Sequence, residues 1–309
     1  MLQYLNIILD DSSVSYCHYE PGKERRLIAL GDLKQGIRFA MMENLMVQLI
    51  WPDYDLPPAY LKVIDSIDHF NIRPTADDAD VCVVDGWNFE TASADVPIVV
   101  RTSMQQLFVH EEQLMKVLSQ VQRLNVVITD IHTLKNADVI HYRQFLAKMV
   151  DGLTALYAEE LPPQLNIITD RMQLTGMNNC EAAVNNITLA PNGKFYVCPA
   201  FYFENEADCV GDLEYGLDIK NKQLYKLEYA PICRHCDAWQ CKRCIWLNRK
   251  TTLEVNTPSH EQCVVAHLER NASRELLQNI RKHGTFLPEQ EEIKEIDYLD
   301  PFDKRDEWQ

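Results

Sequence analysis

Glycine is scarce, with 10 in 309 residues, and none of them builds a phosphate-cradling loop. A nucleotide cradled by a Gly-rich turn is therefore not expected. No run of 18 or more apolar residues occurs, which excludes a membrane-spanning helix. The opening "MLQYLNIILDDSS" lacks a basic n-region followed by a long apolar stretch, so no signal peptide is recognisable and a cytoplasmic location is expected. Positive charge is in deficit. The formal net charge is −16, which argues against nucleic acid or an anionic membrane as partner. Cysteine is nearly absent from the first 179 residues, where only Cys17 and Cys82 occur.

The other eight cysteines lie between 180 and 263, and four of them fall within "CRHCDAWQCKRC", from Cys233 to Cys244. An even scatter of 10 in 309 puts roughly 0.4 cysteine in such a window. In a reducing cytosol, clustered thiols are more often metal ligands or catalytic groups than disulfides. The composition shift sets a boundary near 170–179.

Before that boundary, short apolar runs alternate with segments of helical spacing. The runs "YLNIIL" (4–9), "NLMVQLI" (44–50), "DVCVV" (80–84), "PIVV" (97–100), "NVVIT" (125–129) and "LNIIT" (165–169) read as buried strands. Residues 57–69, 104–122 and 137–158 read as helices. In the last, Ile140, Phe145, Leu146, Met149, Val150, Leu153 and Leu156 share one stripe. The link from 84 to 97 has no helix signal. Alternating β and α with fully apolar strands implies an α/β fold with a parallel sheet covered on both faces. Six strands fit a partial β/α barrel or an open doubly wound sheet.

Chemistry in such sheets gathers beyond the carboxyl ends of the strands. Those positions hold Asp10, Asp53, Tyr54, Asp85, Trp87, Asp130 with His132, and Asp170. Acidic residues also serve turns and helix caps, so each has a structural reading as well. Collectively they suit a cationic or hydrogen-bonding ligand better than a phosphate.

After the boundary the cysteines read C-x12-G-x4-C, then Cys209, then C-x2-C-x4-C-x2-C, then Cys263 after 18 more residues. The segment "NITLAPNGKFYVCP" reads as a hairpin turning at 191–193 and delivering Cys198. Cys263 falls in the first turn of a helix whose Ser259 and Gln262 have capping-box spacing. Arg234, His235, Lys242 and Arg243 stand between the thiols and favour thiolates. A zinc ribbon separates its two knuckles by about 15–20 residues. Here only four separate them, which favours iron–sulfur ligation over zinc.

This cysteine pattern, over roughly 178–268, resembles the SPASM domain that follows the barrel of many radical SAM peptide-modifying enzymes. The inner spacing departs from the usual C-x2-C-x5-C-x3-C by having x4 and x2. The resemblance implies two auxiliary 4Fe–4S clusters. Cys180, Cys198 and Cys244 would serve the first, with Cys209 as its fourth ligand, a position the family does not fix. Cys233, Cys236, Cys241 and Cys263 would serve the second. The C-x3-C-x2-C motif that radical SAM enzymes carry after the first strand is missing. The matching loop, "DDSSVSYCHYEPG", holds Cys17 alone, and "WPDYDLP" (51–57) replaces the Gly-Gly-Glu often found after the second strand.

Together with "LDDSSVSYCHY" and "ENLMVQLIWPDYDLP", the chain resembles the CXXX repeat peptide maturases. That resemblance implies a radical-SAM-like barrel over 1–175, a SPASM-like iron–sulfur domain over 176–284 and an acidic tail over 285–309. Its implied partner is a Cys-repeat precursor peptide, with a separate modifying enzyme as a further partner, and S-adenosylmethionine is not expected to be cleaved. Two other readings stay open: a zinc-stabilised recognition module, and a metal-dependent enzyme at the acidic rim using Asp130 and His132. Residues 264–282 read as an amphipathic helix. Residues 288–309 hold nine acidic and three basic side chains and read as a solvated segment.

Overall fold

The computed structural model describes residues 2–84, 86–159 and 162–293. The elements run β1 (Tyr4–Ile8), α1 (Leu30–Met42), β2 (Met46–Ile50), α2 (Pro58–Ile64), β3 (His69–Arg73), β4 (Val81–Val84), β5 (Ile98–Thr102), α3 (Met104–Val109), α4 (Glu111–Leu118), β6 (Arg123–Ile128), α5 (Asn136–Ala158), β7 (Gln164–Leu165) and α6 (Thr169–Gln173). Then come β8 (Asn186–Leu189), β9 (Phe195–Tyr196), α7 (Pro199–Glu204), β10 (Gly211–Asp212), β11 (Gly216–Leu217), α8 (Ile245–Thr252) and α9 (His260–Arg281).

The chain divides into two compact units. The first comprises 1–92 and 181–226, the second 93–180 and 227–309. In the first, the strand order is β4-β3-β2-β1-β8-β9. The pairs among β1 to β4, and β1 with β8, are parallel; β8 and β9 form the antiparallel hairpin. Its turn falls at Gly193, whose φ of +74° is a conformation only glycine adopts freely. The core packs Leu5, Ile7, Leu49, Ile187, Leu189 and Phe195 against Leu33, Ile37 and Ala40 of α1. Gly36 of α1 permits that approach, since a Cβ there would lie 2.3 Å from Leu189 Cδ2. In the second unit, β5, β6 and β7 pair in parallel. Helix α5 buries Val139, Tyr142, Phe145, Leu146, Met149, Val150 and Leu153.

The alternation of parallel strands and helices is as expected, with four differences. Strand β3 was not expected: "HFNIR" has polar ends and one buried centre, so it lacks the continuous apolar run of its neighbours. Residues 104–122 form two helices rather than one, because His110 leaves helical geometry at φ −104°, ψ 20°. The run 165–169 ends as a strand at Leu165, where Thr169 Oγ1 accepts from Leu165 N and donates to Leu165 O, closing the turn that starts α6. Ile140 is exposed, and Val139 and Tyr142 hold the core positions instead.

The start of the expected solvated tail is packed as well. Arg281 Nη2 donates to the carbonyls of Leu287 and Gln290, Gln290 Nε2 donates to Leu174 O, and Ile293 is buried. The apolar residues Phe286, Leu287 and Ile293 anchor a segment whose charge suggested solvation. Residues 294–309 lie outside the described residues.

Candidate functional site

The loop after β1, in the first unit, is closed by hydrogen bonds among its own side chains and to Tyr54, Tyr202 and Glu206. Asp10 is fully buried at the strand end. One carboxylate oxygen accepts from Ser12 Oγ at 2.6 Å and Ser12 N at 2.9 Å; the other accepts from Tyr54 Oη at 2.9 Å. Burial, then the bond to Asp10, pushes the Tyr54 phenol up to about 12. The Arg25 guanidinium lies over the Tyr54 ring at 4.1 Å. Asp11 accepts from Tyr202 Oη and from Arg26 Nε at 2.8 Å. Arg26 also donates to Tyr202 Oη and Glu206, and that bond holds the Glu206 carboxyl below its usual range. Burial and then Asp11 raise the Tyr202 phenol. Asp53 is exposed and Trp87 half-buried, its ring edge-on to Phe89. Asp85 lies outside the described residues. Cys82 is fully buried in β4, and burial raises its thiol pKa.

In the second unit, Asp130 accepts from Met104 N at 2.8 Å and so satisfies the start of α3. His132 is half-buried. Asp170 is buried in α6, paired with Arg123 at 3.0 Å and Lys242 at 3.8 Å. Asp10 and Asp130 thus make turn- and cap-type bonds, whereas Asp170 is held by ion pairs.

The cysteines divide between the units. Cys198, at the start of α7, and Cys209 belong to the first. Cys180, Cys233, Cys236, Cys241, Cys244 and Cys263 belong to the second. Within the second unit, Cys233, Cys236, Cys241 and Cys263 line one small cavity of about 20 Å³, with Met177, Ile232 and Ala266 among its apolar walls. The first three come from the loop before α8. The last sits in the first turn of α9, where Ser259 and Gln262 form the expected capping box at 3.3 and 2.9 Å.

Backbone amides point at two of the sulfurs. Ala238 N donates to Cys236 Sγ at 3.4 Å, and Arg243 N donates to Cys241 Sγ at 3.5 Å. Burial pushes the Cys241 thiol up to about 12, and it raises that of Cys236. The sulfurs surround the cavity rather than meet at a point. Among the described residues no three His, Cys, Asp or Glu side chains converge closely enough for one metal ion. The donor set suits an iron–sulfur group, in which different irons take different thiolates. At about 20 Å³ the cavity holds about one water, so seating such a group would require the loop 232–241 to open.

The cations expected to favour thiolates are only partly those the structure supplies. Arg234 and Lys242 are exposed, Lys242 pairing with Asp170. The charges that lower the Cys236 thiol, against its burial, are Arg270 and Arg171. Both guanidiniums meet Asp237, the residue after Cys236. Arg270 Nη1 lies 3.1 Å from each carboxylate oxygen, Arg171 Nη2 lies 3.7 Å away, and Arg171 Nε donates to Asp237 O at 2.6 Å. Arg171 also stacks on Trp239 at 3.8 Å. A second buried polar group lies nearby. Tyr142 Oη donates to Glu269 at 2.8 Å, and Gln240 Nε2 donates to Ala266 O at 2.7 Å. Burial pushes the Glu269 carboxyl up to about 7.

No family model matches the chain, and no curated protein does. Solved structures do. One is anSMEcpe, an anaerobic sulfatase maturating enzyme, with bound AdoMet and the Cp18Cys peptide. It is 11% identical, has a TM-score of 0.61, and the match covers 91% of this chain and 100% of that one. The chain has a radical-SAM-like fold. A hexahistidine-tagged form of anSMEcpe with bound AdoMet gives 12% identity and a TM-score of 0.59, over 91% of this chain and 96% of the other. Streptococcus suis SuiB bound to precursor peptide SuiA superposes more loosely, with a TM-score of 0.46 at 12% identity over 85% and 76%. In this radical-SAM-like chain, the loop after β1 carries Cys17 as its one cysteine. Among the described residues no helix is long and apolar enough to cross a membrane.

Proposed function

We propose that this chain is a maturation protein for a ribosomally made Cys-repeat peptide. It binds the precursor, carries iron–sulfur centres in its cysteine region, and does not itself cleave S-adenosylmethionine. The observation that carries the reading is the cavity lined by Cys233, Cys236, Cys241 and Cys263 in a chain of radical-SAM-like fold. These are the four cysteines that the SPASM resemblance groups together. Peptide binding is supported by the bound Cp18Cys peptide of anSMEcpe. The absence of cleavage follows from chemistry. Cleavage needs three thiolates holding a cluster with one open iron, and the loop after β1 offers one. The Asp10 and Asp11 carboxylates in that loop are already bonded to Ser12, Tyr54, Arg26 and Tyr202.

When bound, the cluster would supply electron transfer or a scaffold for the substrate thiols. The chain's own residues hold the sulfurs in place and donate amide hydrogen bonds to them. The first set, Cys180, Cys198, Cys209 and Cys244, rests on the sequence motif. The test is anaerobic purification with iron, sulfide and zinc analysis, followed by incubation with dithionite, S-adenosylmethionine and a Cys-repeat peptide. About eight irons per chain, saturable peptide binding and no 5′-deoxyadenosine above a Cys17→Ala control are expected. Stoichiometric zinc from iron-replete cells, or 5′-deoxyadenosine above that control, overturns the proposal.

A further inference from the structure

We infer that Arg171 and Arg270, gathered by Asp237, set the reduction potential of the centre held by Cys233, Cys236, Cys241 and Cys263. The inference rests on the iron–sulfur reading above. Its basis is the placement of charge. Arg171 is 5% exposed and Arg270 4% exposed, so both guanidiniums are withdrawn from water. Arginine is seldom buried so fully without a charge partner. Here the two share Asp237, which sits inside the cysteine loop beside Cys236. The other acids nearby are engaged elsewhere: Asp170 with Arg123 and Lys242, and Glu269 with Tyr142.

The two arginines reach the loop from α6 and α9, elements 66 and 33 residues away from Asp237 in sequence. Stacking on Trp239 fixes the Arg171 guanidinium as well. Pinning a loop needs one such bond. Two buried cations beside a ligand thiol also change the electrostatics of whatever the thiol holds.

A centre with four thiolate ligands is anionic, and its one-electron reduction adds a further negative charge. A fixed buried cation favours the more negative state, with little screening by water. The electron comes from the external reductant of the assay, dithionite. The geometry assigns both arginines as positioning and tuning residues, not as ligands.

The experiment uses the full chain, anaerobically loaded, with potentials read by EPR-monitored titration. The couple followed is the one missing from Cys233→Ala. Arg270→Gln and Arg171→Gln are each expected to move it negative, lowering the reduced-to-oxidised ratio at fixed potential roughly tenfold, or about 59 mV for one electron. Arg270→Lys, which keeps the charge, should restore most of the shift. Asp237→Asn leaves both cations and removes their counter-charge, so it should move the couple positive. That variant keeps the test decisive if an arginine variant loads poorly. Full iron content with an unmoved potential in the Gln variants, or a negative shift in Asp237→Asn, overturns this inference and leaves the cluster reading standing. Wild-type protein loaded with zinc overturns both, since zinc has no redox couple.

Discussion

The loop after β1 and the loop 232–244 are both short, both polar and both rich in potential ligand atoms, yet they use those atoms in opposite ways. In the first, the ligand atoms are oxygens, and the Asp10 and Asp11 carboxylates are bonded to nearby hydroxyls, an amide or a guanidinium. In the second, the ligand atoms are sulfurs, and two of them, Cys236 and Cys241, accept a backbone amide at 3.4 and 3.5 Å. Sulfur is a weak acceptor, so those contacts add little stability to the loop. The acids of the first loop are taken up by hydrogen bonds. The second loop is held at Asp237 by Arg171 and Arg270, while four thiols line a cavity beside it where an ion would be held.

The contrast is broken most directly at the cysteines. Cys233→Ala should remove about half of the bound iron and leave the loop before α8 open to protease, whereas Cys17→Ala should retain all of it. Equal iron in the two variants would erase the distinction. A smaller but still large effect is expected at the other loop. Asp10→Ala leaves the half-buried Tyr54 and Ser12 hydroxyls without their acceptor and should cost about 3 kcal/mol in denaturant unfolding. A loss within about 1 kcal/mol would mean that water replaces the carboxylate and the loop is not self-sufficient.

The third test concerns Glu269, whose carboxyl is raised from 4.5 to about 7 by burial. The folded state keeps this proton where the unfolded state has lost it. Stability should therefore fall as pH rises from about 4.5 to about 7 and level off above, by about 3 kcal/mol in all. At fixed metal content Glu269→Gln should remove that contribution from the pH dependence, and a pH profile unchanged by the substitution would refute the assignment. The smallest effect is Tyr54→Phe, which deletes one of the bonds to Asp10 and should cost about 1 kcal/mol in the same unfolding measurement.

Much of this was legible in the sequence, for identifiable reasons. Helix α5 and strands β1, β2, β4, β5 and β6 announce themselves through local apolar spacing. The hairpin shows in Pro191-Asn192-Gly193, and the start of α9 shows in Ser259 and Gln262, because caps and turns depend on residues a few positions apart. The grouping of Cys233, Cys236, Cys241 and Cys263 came from a family pattern rather than from local physics. Strand β3 was hidden because neighbouring strands, not its own composition, make it a strand. The arginine pair was hidden for a similar reason. Nothing near Arg171 or Arg270 in sequence points to Asp237, and the nearer basic residues, Arg234 and Lys242, were the more obvious choices.

The position of Cys263 has a consequence for the order in which the site is made. Three of its four thiols precede α8, while the fourth follows it, 30 residues after Cys233. At about 5–20 residues per second, a ribosome takes roughly 2–6 s to supply that distance. Through those seconds the nascent chain lacks the fourth cysteine, and Asp237 lacks Arg270. An iron captured early would meet an incomplete and less cationic nest, from which it is more easily lost. The helix that brings Cys263, Glu269 and Arg270 together on one continuous 22-residue element therefore acts as a late-arriving latch. On the iron–sulfur reading proposed above, it would couple stable loading to completion of the fold.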